Sequence, residues 1–136
     1  MNKYIYETCM EVRDYECDIE GIVNNANYMH YLEHTRHLFL STTGLSFSKM
    51  HEKGIDMVVA RVNMQFKTPL RCDDKFISRL GMRKEGPKYV MNQDIFRASD
   101  NKLCLRSVVE LVCLIDGKLG ESDEYNRAFA AYLNDR

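Results

Sequence analysis

Between Tyr28 and Thr42 the apolar positions follow a helical period. Tyr28, Tyr31, Leu32, Thr35, Leu38, Phe39 and Thr42 recur at helical spacing, while His30, Glu33, His34, His37 and Ser41 fall mostly off that stripe. This predicts one long helix, capped by Asn24, Asn25 or Asn27 and stopped at Gly44. Elsewhere the period is that of strands. Residues 4–13 carry β-type side chains and predict a first strand, followed by a polar, glycine-containing loop over residues 14–25. Ala60, Val62, Met64 and Phe66 alternate with Arg61, Asn63 and Gln65, a half-buried strand that ends at Thr68-Pro69. Two more strands, residues 75–84 and 88–97, flank Glu85-Gly86-Pro87. Asp100-Asn101 then turns the chain into a strand over residues 103–115, ended by Asp116-Gly117, and residues 123–133 predict a terminal helix.

Strands joined by tight turns pair antiparallel, and one long amphipathic helix is the natural cover for their apolar face. The pattern therefore predicts an α+β domain of one helix on a five-stranded antiparallel sheet. The last long strand is apolar on both faces, with Leu103, Leu105, Val109 and Leu111 on one and Val108, Val112 and Leu114 on the other. A lone two-layer domain would leave one face wet, so pairing or stacking of protomers is expected. No linker, repeat or low-complexity segment interrupts the order, which makes residues 1–136 a single domain.

Composition narrows the function classes. A chain of 136 residues fits one domain, and 45% hydrophobic with 29% charged residues reads as globular and soluble. The formal net charge of −1 supplies no global field for nucleic acid or anionic lipid. The N-terminal residues carry no apolar signal region, and the longest apolar run, Ala128 to Leu133, is far too short to span a membrane. Five cysteines without a C-x-x-C pair point to reduced thiols and a cytoplasmic protein. Cys17 has no histidine near it in sequence to activate it, so all five read as inert.

The chemistry concentrates in the stretch from Asp18 to Tyr28, which sets one carboxylate just before the helix. A helix start offers unpaired N–H groups and the positive end of the macrodipole. A carboxylate beside it can attack a carbonyl or activate water while those groups stabilise the oxyanion. Acyl transfer or hydrolysis follows. A competing pattern, His30, Glu33 and His34, matches the inverted zinc-protease motif H-x-x-E-H. No third ligand is evident in sequence, so we expect no metal and surface histidines instead. Glu33 is expected to pair locally with Arg36 or His37.

These residues carry a family resemblance. Glu16-Cys17-Asp18, Gly21-Ile22-Val23, Asn27-Tyr28, and Glu33 with Arg36 resemble the signature of hotdog-fold acyl-CoA thioesterases of the 4-hydroxybenzoyl-CoA thioesterase-like group. Phe66-Lys67-Thr68-Pro69-Leu70 followed by Asp73-Asp74 is similar to a second family passage, and the likeness runs from Tyr6 to about Leu119. It implies a hotdog fold paired into a homodimer or homotetramer, no cofactor, and no contact with nucleic acid or membrane. Asp18 falls on the family's catalytic aspartate, and the backbone N–H of Asn25 on its oxyanion donor. Many relatives have Tyr-His where this chain has Asn24-Asn25. Val23-Asn24-Asn25 is instead similar to a step in acyl-carrier-protein thioesterases, so both CoA and carrier-protein thioesters stay open as substrates. Asn24 would orient water or close the turn, and the acyl group would lie against Tyr28 and Tyr31. In the resemblance, Arg83, Lys84 and Lys88 meet the CoA phosphates. The alternatives are a non-catalytic thioester-binding protein and a dehydratase, the latter disfavoured because no histidine lies between Asp18 and His30.

Overall fold

Turn residues set most of the architecture. The computed structural model describes residues 4–133; the single-domain assignment also takes in residues 1–3 and 134–136, which lie outside the described residues. Six strands, β1 (Tyr6–Glu11), β2 (Ile55–Phe66), β3 (Lys75–Glu85), β4 (Lys88–Arg97), β5 (Leu103–Ile115) and β6 (Lys118–Gly120), form one antiparallel sheet. Its order is β1-β3-β4-β5-β2, with β6 paired to β5. Three helices accompany it: α1 (Asn25–Thr42), α2 (Phe47–Glu52) and α3 (Asp123–Leu133).

The strands β4 and β5 occupy the residues the pattern predicts, because left-handed turn residues bracket them. Gly86, Asn101 and Gly117 all have positive φ, a conformation glycine and asparagine accept readily. Three differences from the pattern have local causes. Strand β6 is a three-residue return after Asp116-Gly117, so the sheet has six strands rather than five. Helix α2 is too short to show a period, and is started by the Ser46 hydroxyl, which accepts from the Lys49 N–H at 3.1 Å. Strand β2 begins at Ile55, not Ala60. A bulge between Val59 and Arg61 breaks the alternation there and hides the first half of the strand.

Helix α1 buries Tyr28, Tyr31, Leu32, Thr35, Arg36, Phe39 and Leu40, whereas Leu38 of the expected stripe is only half-buried. Leu32 belongs to one core cluster with the fully buried Phe76, Leu80, Ile95, Leu105 and Val109 of the sheet. Each such side chain stabilises the fold by roughly 1.5–3 kcal/mol. Polar groups in this layer are matched. Thr35 Oγ1 lies 2.8 Å from Ser78 Oγ, and the Gln93 amide donates to the Leu32 carbonyl at 3.0 Å. Arg36 corrects an expectation: it turns inward and donates to Gln93 Oε1 at 2.9 Å instead of pairing with Glu33 on the surface. Burial lowers its pKa, partly offset by the charge of Glu33. On the other face of β5, Val108, Val112 and Leu114 are half-buried. No helix of the described residues is long and apolar enough to cross a membrane.

Candidate active site

The segment between β1 and α1 builds the site. A 3-10 turn at Asp14–Glu16 leads into a small antiparallel ladder. The Asn24 N–H donates to the Glu16 carbonyl at 3.0 Å, Cys17 bridges Val23, and the Asp18 N–H donates to the Ile22 carbonyl at 2.9 Å. Asp18 to Gly21 closes the hairpin through the Gly21 N–H to the Asp18 carbonyl, with Gly21 at φ +80°. That left-handed residue is what the glycine of the loop supplies. Asp18 is half-buried, and its Oδ1 accepts from the Glu20 N–H at 2.9 Å. It stands two ladder positions from Asn24, about 7 Å of strand rise.

Asn24 is the N-cap of α1. Its side-chain oxygen accepts from the Ala26 N–H at 2.9 Å and its carbonyl from the Asn27 N–H at 2.9 Å. Asn25 is the exposed first helical residue, and its N–H has no intrahelical acceptor. So the structure brings Asp18, Asn24 and Asn25 into one junction.

Tyr28 and Tyr31, the two rings expected beside the acyl group, both pack into the core at the start of α1. Both rings are core, edge-on to each other at 5.9 Å, with Tyr28 against Phe66 and Tyr31 against Phe76. The Tyr28 hydroxyl accepts from the Leu70 N–H at 3.3 Å. The Tyr31 hydroxyl donates to Glu16 Oε1 at 2.8 Å, and burial first, then this carboxylate, hold its pKa far above the ordinary range. Space beside α1 is found on its flanks. One hollow of about 600 Å³ is lined by Glu33, Arg36, Phe47, Met57, Val59 and Leu111 among others, between α1, α2 and the β2 edge. A second, about 340 Å³, lies on the β1 side and includes Glu16, Asn27, His30, Tyr31 and His34.

His30 and His34 thus face one flank and Glu33 the other, so the helix divides the H-x-x-E-H residues. Among the described residues no group of three His, Cys, Asp or Glu could hold a metal ion. Cys17 lies against Cys72. Burial first, then the neighbouring thiol and Asp18, raise its pKa, which leaves little thiolate to act as nucleophile. The β3–β4 hairpin divides the basic trio, with Arg83 and Lys88 on one face about Glu85 and Lys84 on the other. Arg83 pairs with Glu85 at 2.5 Å and Lys88 with Glu110 at 3.1 Å, whereas Lys84 reaches Glu121 at 2.7 Å and lies over the Tyr89 ring.

Glu16 is the residue whose role the sequence pattern missed, since there it is only the first position of the Glu16-Cys17-Asp18 motif. It is 7% exposed; Oε1 accepts from the Arg13 N–H at 2.8 Å as well as from Tyr31, and Oε2 takes the Arg13 guanidinium at 2.9 Å. Its carbonyl also accepts from Asn27 Nδ2 at 2.7 Å. Beside that motif, the available signal was its spacing of three from Arg13 across a turn.

The profile of the thioesterase-like superfamily matches residues 12–132. The chain belongs to that superfamily. A chloroplastic acyl-acyl carrier protein thioesterase of Arabidopsis thaliana is 40% identical over 72 residues, 53% of this chain; the matched stretch spans only 38% of that relative's length. The long-chain acyl-CoA thioesterase FadM of Escherichia coli is 27% identical over 109 residues, 79% of this chain and 82% of its own. In solved structures, a 1,4-dihydroxy-2-naphthoyl-CoA thioesterase from Synechocystis superposes with a TM-score of 0.85 at 17% identity, covering 92% of this chain and 95% of its own. That superposition establishes the hotdog fold for this member of the superfamily.

Proposed function

We propose that this chain hydrolyses acyl thioesters of CoA or of an acyl carrier protein. The observation that carries the reading is the junction itself: Asp18 two ladder positions from a helix start whose Asn25 N–H is open to a ligand. The Asp18 carboxylate takes a proton from the attacking water, or attacks the thioester carbonyl itself to give a mixed anhydride that water then hydrolyses. The Asn25 N–H accommodates the oxyanion, and the thiol departs as thiolate. Relatives named for acyl-CoA and for acyl-carrier-protein substrates support the substrate class. A thiol-release assay over a panel of acyl-CoA and acyl-carrier-protein thioesters tests it. Turnover of at least one thioester is expected; saturable binding with no thiol released would make this a binding protein instead.

The working unit is a homodimer joined along β2. This edge strand is twelve residues long, and Val58, Val59 and Phe66 on it are 37%, 41% and 45% exposed. An open apolar edge of that length invites a second strand. Antiparallel pairing centred on the bulge would bring the half of β2 near Phe66, and the Tyr28 end of α1 that packs on it, toward the other copy's hollow at Met57 and Val59. A Val59→Lys protein should then sediment as a monomer at micromolar concentration where the wild type is dimeric; a monomeric wild type defeats the assignment.

A further inference from the structure

The Asp18 carboxylate accepts from the Glu20 N–H of its own turn, and among the described residues no side-chain hydrogen bond ties it to α1. Among the described residues, the hydrogen bonds between the hairpin and α1 or its cap all end on Glu16. Its carbonyl takes the Asn24 N–H and the Asn27 amide, and its carboxylate takes the Tyr31 hydroxyl. On its other side the same carboxylate takes the Arg13 N–H and guanidinium, which closes the turn that leads into the hairpin. We propose that Glu16 is a positioning residue, which sets where Asp18 stands relative to the Asn25 N–H.

The physical case is one of leverage. Glu16 is two residues from Asp18 and buried, so its anchor moves the hairpin as a unit. Its two oxygens accept three donors, Arg13 N–H, Arg13 guanidinium and Tyr31 hydroxyl, so it ties the turn and the helix at one point. Without it the Tyr31 hydroxyl is left buried and unpaired, and the 3-10 turn loses both of its side-chain ties. The main-chain bond to Asn24 survives, so the hairpin stays formed but is free to shift. A displacement of about 1 Å at a reacting group is enough to cost on the order of 100-fold in rate.

This role rests on the thioesterase reading, and the experiment separates the two. Thiol release is measured for Glu16→Ala, Glu16→Gln and Tyr31→Phe, each alone and combined with Asp18→Asn. We expect Glu16→Ala to lower kcat about 30-fold with KM within about twofold, the signature of misplaced chemistry rather than lost binding. Glu16→Gln keeps an acceptor oxygen for Tyr31 and recovers most of the loss, and Tyr31→Phe lowers kcat in the same direction by a smaller factor. In the Asp18→Asn background Glu16→Ala adds no further loss, because it acts through Asp18. Should Glu16→Ala fail to fold, Tyr31→Phe carries the same comparison. An active wild type with kcat unmoved in Glu16→Ala and Tyr31→Phe overturns the positioning role alone. So does a loss of equal size in the Asp18→Asn background. A wild type inert across the whole panel overturns the thioesterase reading and this role with it.

Discussion

The two ends of α1 are held by different forces. At its start hydrogen bonds, from Asn24 and Asn27 to Glu16 and from Tyr31 to the same residue's carboxylate, add to the packing of the Tyr28 and Tyr31 rings on Phe66 and Phe76. At its finish it is held by rings. Phe39 stacks on Phe129 at 5.7 Å and meets Tyr132 edge-on at 5.1 Å, while Phe129 also packs against Tyr89 and Tyr125. Polar anchoring leaves N–H groups and a carboxylate next to solvent, where a substrate can reach them. Aromatic packing excludes solvent and supplies stability. Chemistry and cohesion therefore sit at opposite ends of one helix, and substitutions should separate them.

The largest effect should come from the aromatic end. Phe129→Ala removes the ring shared by Phe39, Tyr89 and Tyr125, and should cost about 3–5 kcal/mol in urea denaturation, typical of a buried Phe lost to a cavity. Its folded fraction should keep the wild-type kcat; a selective kinetic defect would break the division of labour. Next comes Asp18→Asn at the polar end. It should lower kcat by at least ~100-fold, the low end of what a catalytic acid or base contributes, with an unmoved denaturation midpoint. A folded Asp18→Asn protein that releases thiol at the wild-type rate would remove the chemistry from this end.

A smaller effect sharpens the contrast from the stability side. Asn24→Ala deletes the cap that holds the Ala26 N–H, and should cost about 1 kcal/mol, well below Phe129→Ala. An equal cost for the two would mean that hydrogen bonds and rings hold α1 alike. The smallest effect concerns Tyr125, whose buried hydroxyl finds no partner among the described residues. Burial, the largest cause, pushes its pKa up to about 12, so the group is neutral at any pH of interest. Tyr125→Phe removes the unmet polar group while keeping the ring, and should be neutral or stabilise by up to about 1 kcal/mol. A clear loss of stability would reveal a partner for that hydroxyl and a polar contribution at the aromatic end.

What the amino-acid order determined by itself was whatever depends on neighbours in the chain. The 3.6-residue stripe and a cap among Asn24, Asn25 and Asn27 define α1, where the structure selects Asn24, and the turns at Gly86, Asn101 and Gly117 delimit β4 and β5. The loop motif around Asp18 and Gly21 was legible for the same reason, since a tight turn before a helix start is local chemistry. Segments too short or too irregular to show a period were not legible: α2, the three residues of β6, and the bulged first half of β2. Nor were the fates of Glu16 and Arg36. In a polar loop or on a helix a charged residue reads as solvated, because water is the default partner of a charge. Only the folded chain brings Tyr31 to Glu16 and Gln93 to Arg36, across 15 and 57 residues respectively, and a charge can leave water only where such partners already wait for it.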